Sequence, residues 1–251
     1  MSMTKLFSYR RGWLSVDPLY YKSPTQTPYH YVNNNPINFI DPDGRHGYQV
    51  DADGNISSEP VDDTGGDEFD VLYNHDMTQM AAATYEPGIL SGGNIRKGQV
   101  GDQEYTFLNI NDDELAEITF EFLASNGEPD DRVEWSRLHY DDVDGHGPGN
   151  ILATSHKKDR ENGGVAKAIQ YSLEYGFEVN MLDHSHGKHR IRGNYFGPSG
   201  WSLLDASRGT DNNDLGSAGK LEALIPGVKF RVFDVQTGKY VPYNSKGPIK
   251  K

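Results

Sequence analysis

"FEVNMLDHSHG", residues 177–187, decides how the rest of the chain is read. It reads as a strand that runs into two histidines one residue apart, His184 and His186. Side chains on a strand alternate between faces, so positions i and i+2 point the same way and both imidazoles face one side. Such a pair suits two ligands of a single Zn²⁺, which takes a third protein ligand and keeps an open position when it does chemistry. Two other readings of the stretch exist. It could open a basic, nuclease-like cluster continuing through Lys188, His189, Arg190 and Arg192, or it could be a polar loop with no chemistry.

Working outward, the flanking segments pattern as alternating elements. "EYTFLNI" (104–110), "RVEWSRLHY" (132–140) and "GNILATSH" (149–156) read as strands. "NDDELAEITFEFLASNG" (111–127) opens with capping residues, spaces its apolar side chains at 3 and 4 and ends at Asn-Gly, which predicts an amphipathic helix. "GVAKAIQYSLEYG" (164–176) is more helix-like than strand-like. "DLGSAGKLEALIPG" (214–227) is a capped helix with Leu215, Ala218, Leu221 and Leu224 on a helical period. "KFRVFDVQTGKYVPY" (229–243) reads as a hairpin with a Thr-Gly turn. The order predicts an α/β (α+β) domain over residues 100–251 with a site at the end of a strand.

Upstream the chain changes character. Residues 46–99 form an acidic, Gly-rich linker and connecting segment; "VDADGNI" (50–56) has an Asp-Gly turn between strand-like flanks, and 71–99 reads as a helix followed by a loop. "DADGN" echoes part of a calcium loop without the twelfth-position Glu that such a loop needs. "SVDPLYYKSPTQTPYHYVNNNPINFIDPDGR" (15–45) strings together Asp-Pro, Asn-Asn-Asn-Pro and Asp-Pro-Asp-Gly turns with tyrosines between them. That stretch resembles the closing signature of the core of RHS-repeat and YD-repeat proteins. The resemblance implies that residues 1–45 are an RHS-core remnant and that a variable toxin module follows.

A strand ending in H-S-H, a polar loop and an Asp opening a helix resemble the JAB/JAMM metallopeptidase pattern: a distal Glu, H-x-H-P, then S-x-x-D. The resemblance implies a JAB/JAMM-like (cytidine-deaminase-like) mixed sheet flanked by helices, a Zn²⁺ cofactor and His184 and His186 as two of its ligands. Gly187 stands where the family has Pro. For the third ligand, "SLLD" (202–205) fits S-x-x-D literally, whereas Asp211–Asp214 fits only with Asp in place of Ser. Asp214 is preferred because it opens a helix, with Asp205 as the alternate and a long insertion after His186. Glu134, a charged residue within a strand-like, aromatic-flanked run, is the candidate base, although it could simply alternate outward. Ser199 in "GPSGWS" is preferred to Ser202 as the hydrogen-bond donor to the attacking water or oxyanion. Glu174 and Glu178 look like surface positions, and His146 and His156 are too isolated to assign.

The implied function is a zinc-dependent peptidase or isopeptidase toxin module, a hydrolase acting on a protein or peptide, with an immunity protein as a further partner. The alternatives are a metal-dependent nuclease toxin and a degenerate JAB-like binding domain. A formal charge of −13 over 251 residues argues against a phosphate-backbone partner. No stretch resembles a membrane span, and the chain has no cysteine, which removes disulfides and thiolate metal sites. The first residues lack the apolar core of a secretory signal, so delivery to a target cell through a toxin system is expected.

Overall fold

The computed structural model describes residues 46–63, 69–91, 94–129, 131–142, 149–158, 163–186, 197–200 and 213–249. In chain order the elements are β1 (His46–Gln49), β2 (Asp62–Asp63), β3 (Asp70–Tyr73), β4 (Ile95–Val100), β5 (Gln103–Ile110), α1 (Asp113–Ser125), β6 (Ser136–Asp142) and β7 (Gly149–Thr154). There follow α2 (Gly163–Glu174), β8 (Phe177–His186), α3 (Asp214–Leu224), β9 (Lys229–Asp234), β10 (Lys239–Asn244) and β11 (Gly247–Pro248). The turn-rich signature of residues 15–45 lies outside the described residues.

Eight strands form one mixed sheet in the order β11-β10-β9-β8-β6-β7-β5-β4. Its pairs are antiparallel except β8 with β9, which run parallel. Parallel neighbours need a crossover connection, and α3 supplies it between β8 and β9. Helix α2 makes a similar crossing from β7 over β6 to β8. The mixed sheet flanked by helices is the expected α+β architecture.

The helices cover both faces. On one, α1 buries Ala116, Phe120, Leu123 and Ala124 against Leu108, Leu152, Trp135 and Phe233. Its start is fixed by Asp112, whose carboxylate accepts the Leu115 N–H at 2.7 Å, while Asp113 and Glu114 sit at the positive end of the helix dipole. On the other face, α2 contributes Ala168 and Ile169, and α3 contributes Ala218, over Leu138, Leu182, Phe230 and Val232. Helix α3 is less amphipathic than its spacing suggests: Leu221 packs, but Leu224 is 61% exposed.

A β-bulge in β8 sets which side chain faces which layer. Tyr140 pairs with Val179, but His139 pairs with Met181, so Asn180 is the extra residue. The bulge shifts the alternation by one. Val179 before it and Leu182 after it therefore share the α2–α3 face, and His184 and His186 follow Leu182 there. Asn180 is held by its own side chain, which contacts His139 Nδ1 and donates to Asp141 at 2.8 Å.

Residues 46–99 depart from expectation. They hold a three-stranded sheet, β2-β1-β3, with β1 and β3 parallel. The expected Asp-Gly hairpin is present: Val50 and Ile56 bridge, and the Asp51 carboxylate accepts the N–H groups of Asp53 and Asn55, closing the turn. The helix expected after residue 71 is replaced by strand β3 and tight turns. Asn74 Oδ1 accepts the Gln79 N–H and Asp76 accepts from Thr78, local bonds that compete with a helical ladder. Val71 and Leu72 are fully buried strand positions, and the segment's Tyr48, Val50, Ile56, Leu72 and Tyr85 pack in one cluster with α1.

Candidate metal centre

The site sits where β8 ends and α3 begins. His184 is the cross-strand partner of Ser136 on β6 and Val232 on β9, and His186 is the partner of Asp234. Strands on both sides therefore fix the backbone at His184, and β9 fixes it at His186. Asp214 is the first residue of α3 and reaches toward them. Asn213 caps the helix by accepting the Gly216 N–H at 2.8 Å. Ser199 locks the carboxylate reciprocally: its N–H donates to Asp214 Oδ2 at 2.7 Å, and its Oγ accepts the Asp214 N–H at 2.9 Å.

Three atoms then meet. His184 Nε2 lies 3.2 Å and His186 Nε2 3.1 Å from Asp214 Oδ2, and the two nitrogens are 3.1 Å apart. The side chains are 12%, 15% and 18% exposed. Burial pushes the Asp214 carboxyl up, but the two histidines together outweigh it and hold the pKa well below the usual range. Asp214 is thus an anion facing two imidazoles.

The triangle fits a metal ion better than it fits hydrogen bonds alone. One N–H on each ring can aim along only one edge, whereas a cation among the three atoms engages all of them. For N and O ligands about 2.0–2.1 Å from a tetrahedral ion, ligand atoms lie about 3.3 Å from one another, close to the edges observed. Of the described residues, these three form the group of His and acidic side chains able to hold an ion. A two-imidazole, one-carboxylate set suits Zn²⁺ and other borderline divalent metals.

Behind His184 stands Tyr243 of β10. Its hydroxyl lies 3.5 Å from His184 Nδ1, and the two rings meet edge to face with centroids 5.9 Å apart. Burial raises the Tyr243 pKa well above its ordinary value, and the Asp214 and Asp183 charges raise it further, so the phenol is neutral. Nothing in the spacing of "KYVPY" marks this residue.

The other expected site residues fall as follows. Glu134 is buried and precedes β6 by two positions; the strand-like run starts only at Ser136. Val133 and Trp135 on either side pack in the α1-face core, and the Glu134 backbone is held by its N–H donating to Lys157 O and its carbonyl accepting from Thr154 Oγ1, both at 2.8 Å. The Ser185 N–H donates to Trp135 O at 2.8 Å, which carries the β6–β8 register to the edge of Glu134. Ser199 is in the site, where it holds Asp214. Glu174 and Glu178 are exposed, as expected. His156 is structural, bridging Thr106 Oγ1 at 3.0 Å and Asp53 O at 2.7 Å. Asp205, Asp211, Ser202, His189 and His146 lie outside the described residues.

Asp183, next to the pair, belongs to the opposite face. It is fully buried and accepts from Arg137 Nε at 3.0 Å and from Arg231 Nε and Nη2 at 2.7 Å. Glu117 of α1 bridges the same two guanidiniums. Burial lowers the Arg231 pKa, but the Asp183 and Glu117 carboxylates outweigh it and the net direction is upward.

Residues 108–219 match the model of a family described as JAB-like toxin 1. The matched segment contains Glu134, His184, His186, Ser199 and Asp214, and it ends within α3. The chain thus carries a domain similar to JAB-like toxins, in keeping with its mixed sheet and flanking helices. No curated protein and no solved structure matches the chain.

Proposed function

We propose that the chain is a zinc-dependent peptidase or isopeptidase toxin module, with His184, His186 and Asp214 as the protein ligands of one zinc ion. The observation that carries this reading is the convergence of two imidazole nitrogens and one carboxylate oxygen, 3.1–3.2 Å apart, at the junction of a strand end and a helix start. When bound, such an ion lowers the pKa of a coordinated water to about 7 and polarises a carbonyl. Glu134 takes the proton of the attacking water and returns it to the leaving amine. Ser199 orients Asp214 through its N–H, and its hydroxyl hydrogen is directed to the developing oxyanion. The signature at residues 15–45 supports an RHS-type delivery context, and a cognate immunity protein is the partner this context implies.

The test begins with elemental analysis of protein purified without chelators, wild type beside a His184→Ala, His186→Ala double variant. About one zinc per chain is expected in the wild type and none in the variant. A Glu134→Gln variant should keep its zinc and lose about 10²–10⁴-fold in amide hydrolysis against a peptide and isopeptide panel. Absence of zinc from the wild type after reconstitution and dialysis would overturn the reading.

A further inference from the structure

We infer that Tyr243 is a positioning residue for His184, accepting the Nδ1–H of the imidazole so that Nε2 presents its lone pair to a metal. The inference rests on the zinc reading above and extends it to a part of the chain beyond the matched segment.

A histidine that binds through Nε2 must carry its hydrogen on Nδ1, and a neighbour that accepts this hydrogen fixes both tautomer and ring orientation. Tyr243 is placed for that role: its hydroxyl is 3.5 Å from Nδ1, and its ring is packed edge-on to the imidazole. The residue is 3% exposed, so the contact is shielded from bulk solvent. The opposite polarity, with the phenol donating to Nδ1, puts the hydrogen on Nε2 and closes that nitrogen to a metal.

Local structure holds the tyrosine in register with both halves of the site. Tyr243 pairs with Phe230 on β9, which in turn pairs with Leu182, two residues before His184. Two residues after Tyr243, Ser245 is clamped to α3: its N–H and hydroxyl donate to the two oxygens of Glu222 at 3.0 and 2.6 Å. The same helix begins with Asp214. The β10–β11 turn therefore ties Tyr243, behind one ligand, to the helix that carries another.

The experiment uses the full chain and has two readouts. The first is the affinity for Zn²⁺ and for Co²⁺, by chelator competition, in wild type and Tyr243→Phe, which keeps the ring and removes the hydroxyl. A 10–100-fold loss is expected, with a changed cobalt visible spectrum. The second is the His184 tautomer in metal-free protein, from long-range proton–nitrogen correlations assigned with a His184→Gln variant. Nδ1–H is expected in the wild type, with a shift toward the Nε2–H form in Tyr243→Phe. Wild-type His184 as the Nε2–H tautomer would overturn the inference even if the phenylalanine variant does not fold. So would unchanged affinity, spectrum and tautomer in a folded variant. If the wild type binds neither metal, the zinc reading fails by itself and the tautomer alone decides the role of Tyr243.

Discussion

At the scale of single residues, Asp183 and His184 show how one step along a strand separates two chemistries. His184 faces α3 and meets His186 and Asp214 in the candidate metal centre. Asp183 faces α1 and, with Glu117, pairs with two guanidiniums, of which Arg137 is only 3% exposed. From the sequence "DHSH", Asp183 has the right chemistry for a metal ligand; the strand period sends it away from the histidines. Replacing it with Ala removes the buried partner of both guanidiniums and leaves them only the more exposed Glu117. Asp183→Ala is therefore expected to cost about 3–5 kcal/mol in urea denaturation. Zinc stoichiometry of the folded fraction should be unchanged, because the carboxylate is not a ligand. A loss below about 1 kcal/mol, or loss of zinc from folded protein, would contradict this assignment.

At the scale of elements, the site depends on where β8 changes phase and where α3 starts. The second of these was legible. Asp214 opens a helix in the sequence pattern, and the structure places it against both histidines, although Ser202–Asp205 between them is the closer match to the family motif. The first was not legible: "FEVNM" alternates cleanly and shows no sign of an extra residue at Asn180. Without the bulge, the face of Phe177 and Val179 would continue through Asp183 and Ser185, and the histidines would point into the α1 layer. The start of α3 is equally exacting. Gly200 has φ +86°, and a Cβ there would fall 2.5 Å from the Asn213 side chain that caps the helix. Gly200→Ala is expected to cost about 1–3 kcal/mol, from left-handed strain and a displaced cap. It should also weaken zinc binding about tenfold, because Asp214 moves with its helix. Gly176 has φ +75° with nothing near its would-be Cβ, so Gly176→Ala carries the strain alone. That variant should leave zinc affinity unchanged in the same competition assay, and equal losses in both variants would remove the link between Gly200 and the site.

At the scale of the whole molecule, the segment before β4 bears on the site although none of its described residues enters it. Its composition reads as a linker because Gly and Asp dominate, while its apolar side chains do the packing. Tyr48, Val50, Ile56, Leu72 and Tyr85 are all 5% exposed or less. Each such side chain is worth about 1.5–3 kcal/mol when fully buried. They share a cluster with Phe120 and Leu123 of α1, so the helix has apolar neighbours on both the sheet and the segment. Polar ties reinforce the contact: Asn126 donates to Asp51 O at 2.6 Å and accepts the His75 N–H at 2.9 Å. The turn at Gly54 rests directly on Val133 and Trp135, the two residues that flank Glu134. A chain that keeps residues 46–93 is therefore expected to unfold cooperatively. One beginning at residue 94 should expose the α1 face, bind a hydrophobic dye and lose its cooperative transition. Where a soluble fraction of the shorter chain can be recovered, its zinc affinity should suffer less than its hydrolysis. The histidines and Asp214 are held by β6, β9 and α3, whereas the backbone of Glu134 loses the turn that packs beside it. Cooperative unfolding of the shorter chain within about 1 kcal/mol of the longer one would show that α1 and the sheet form a sufficient core alone.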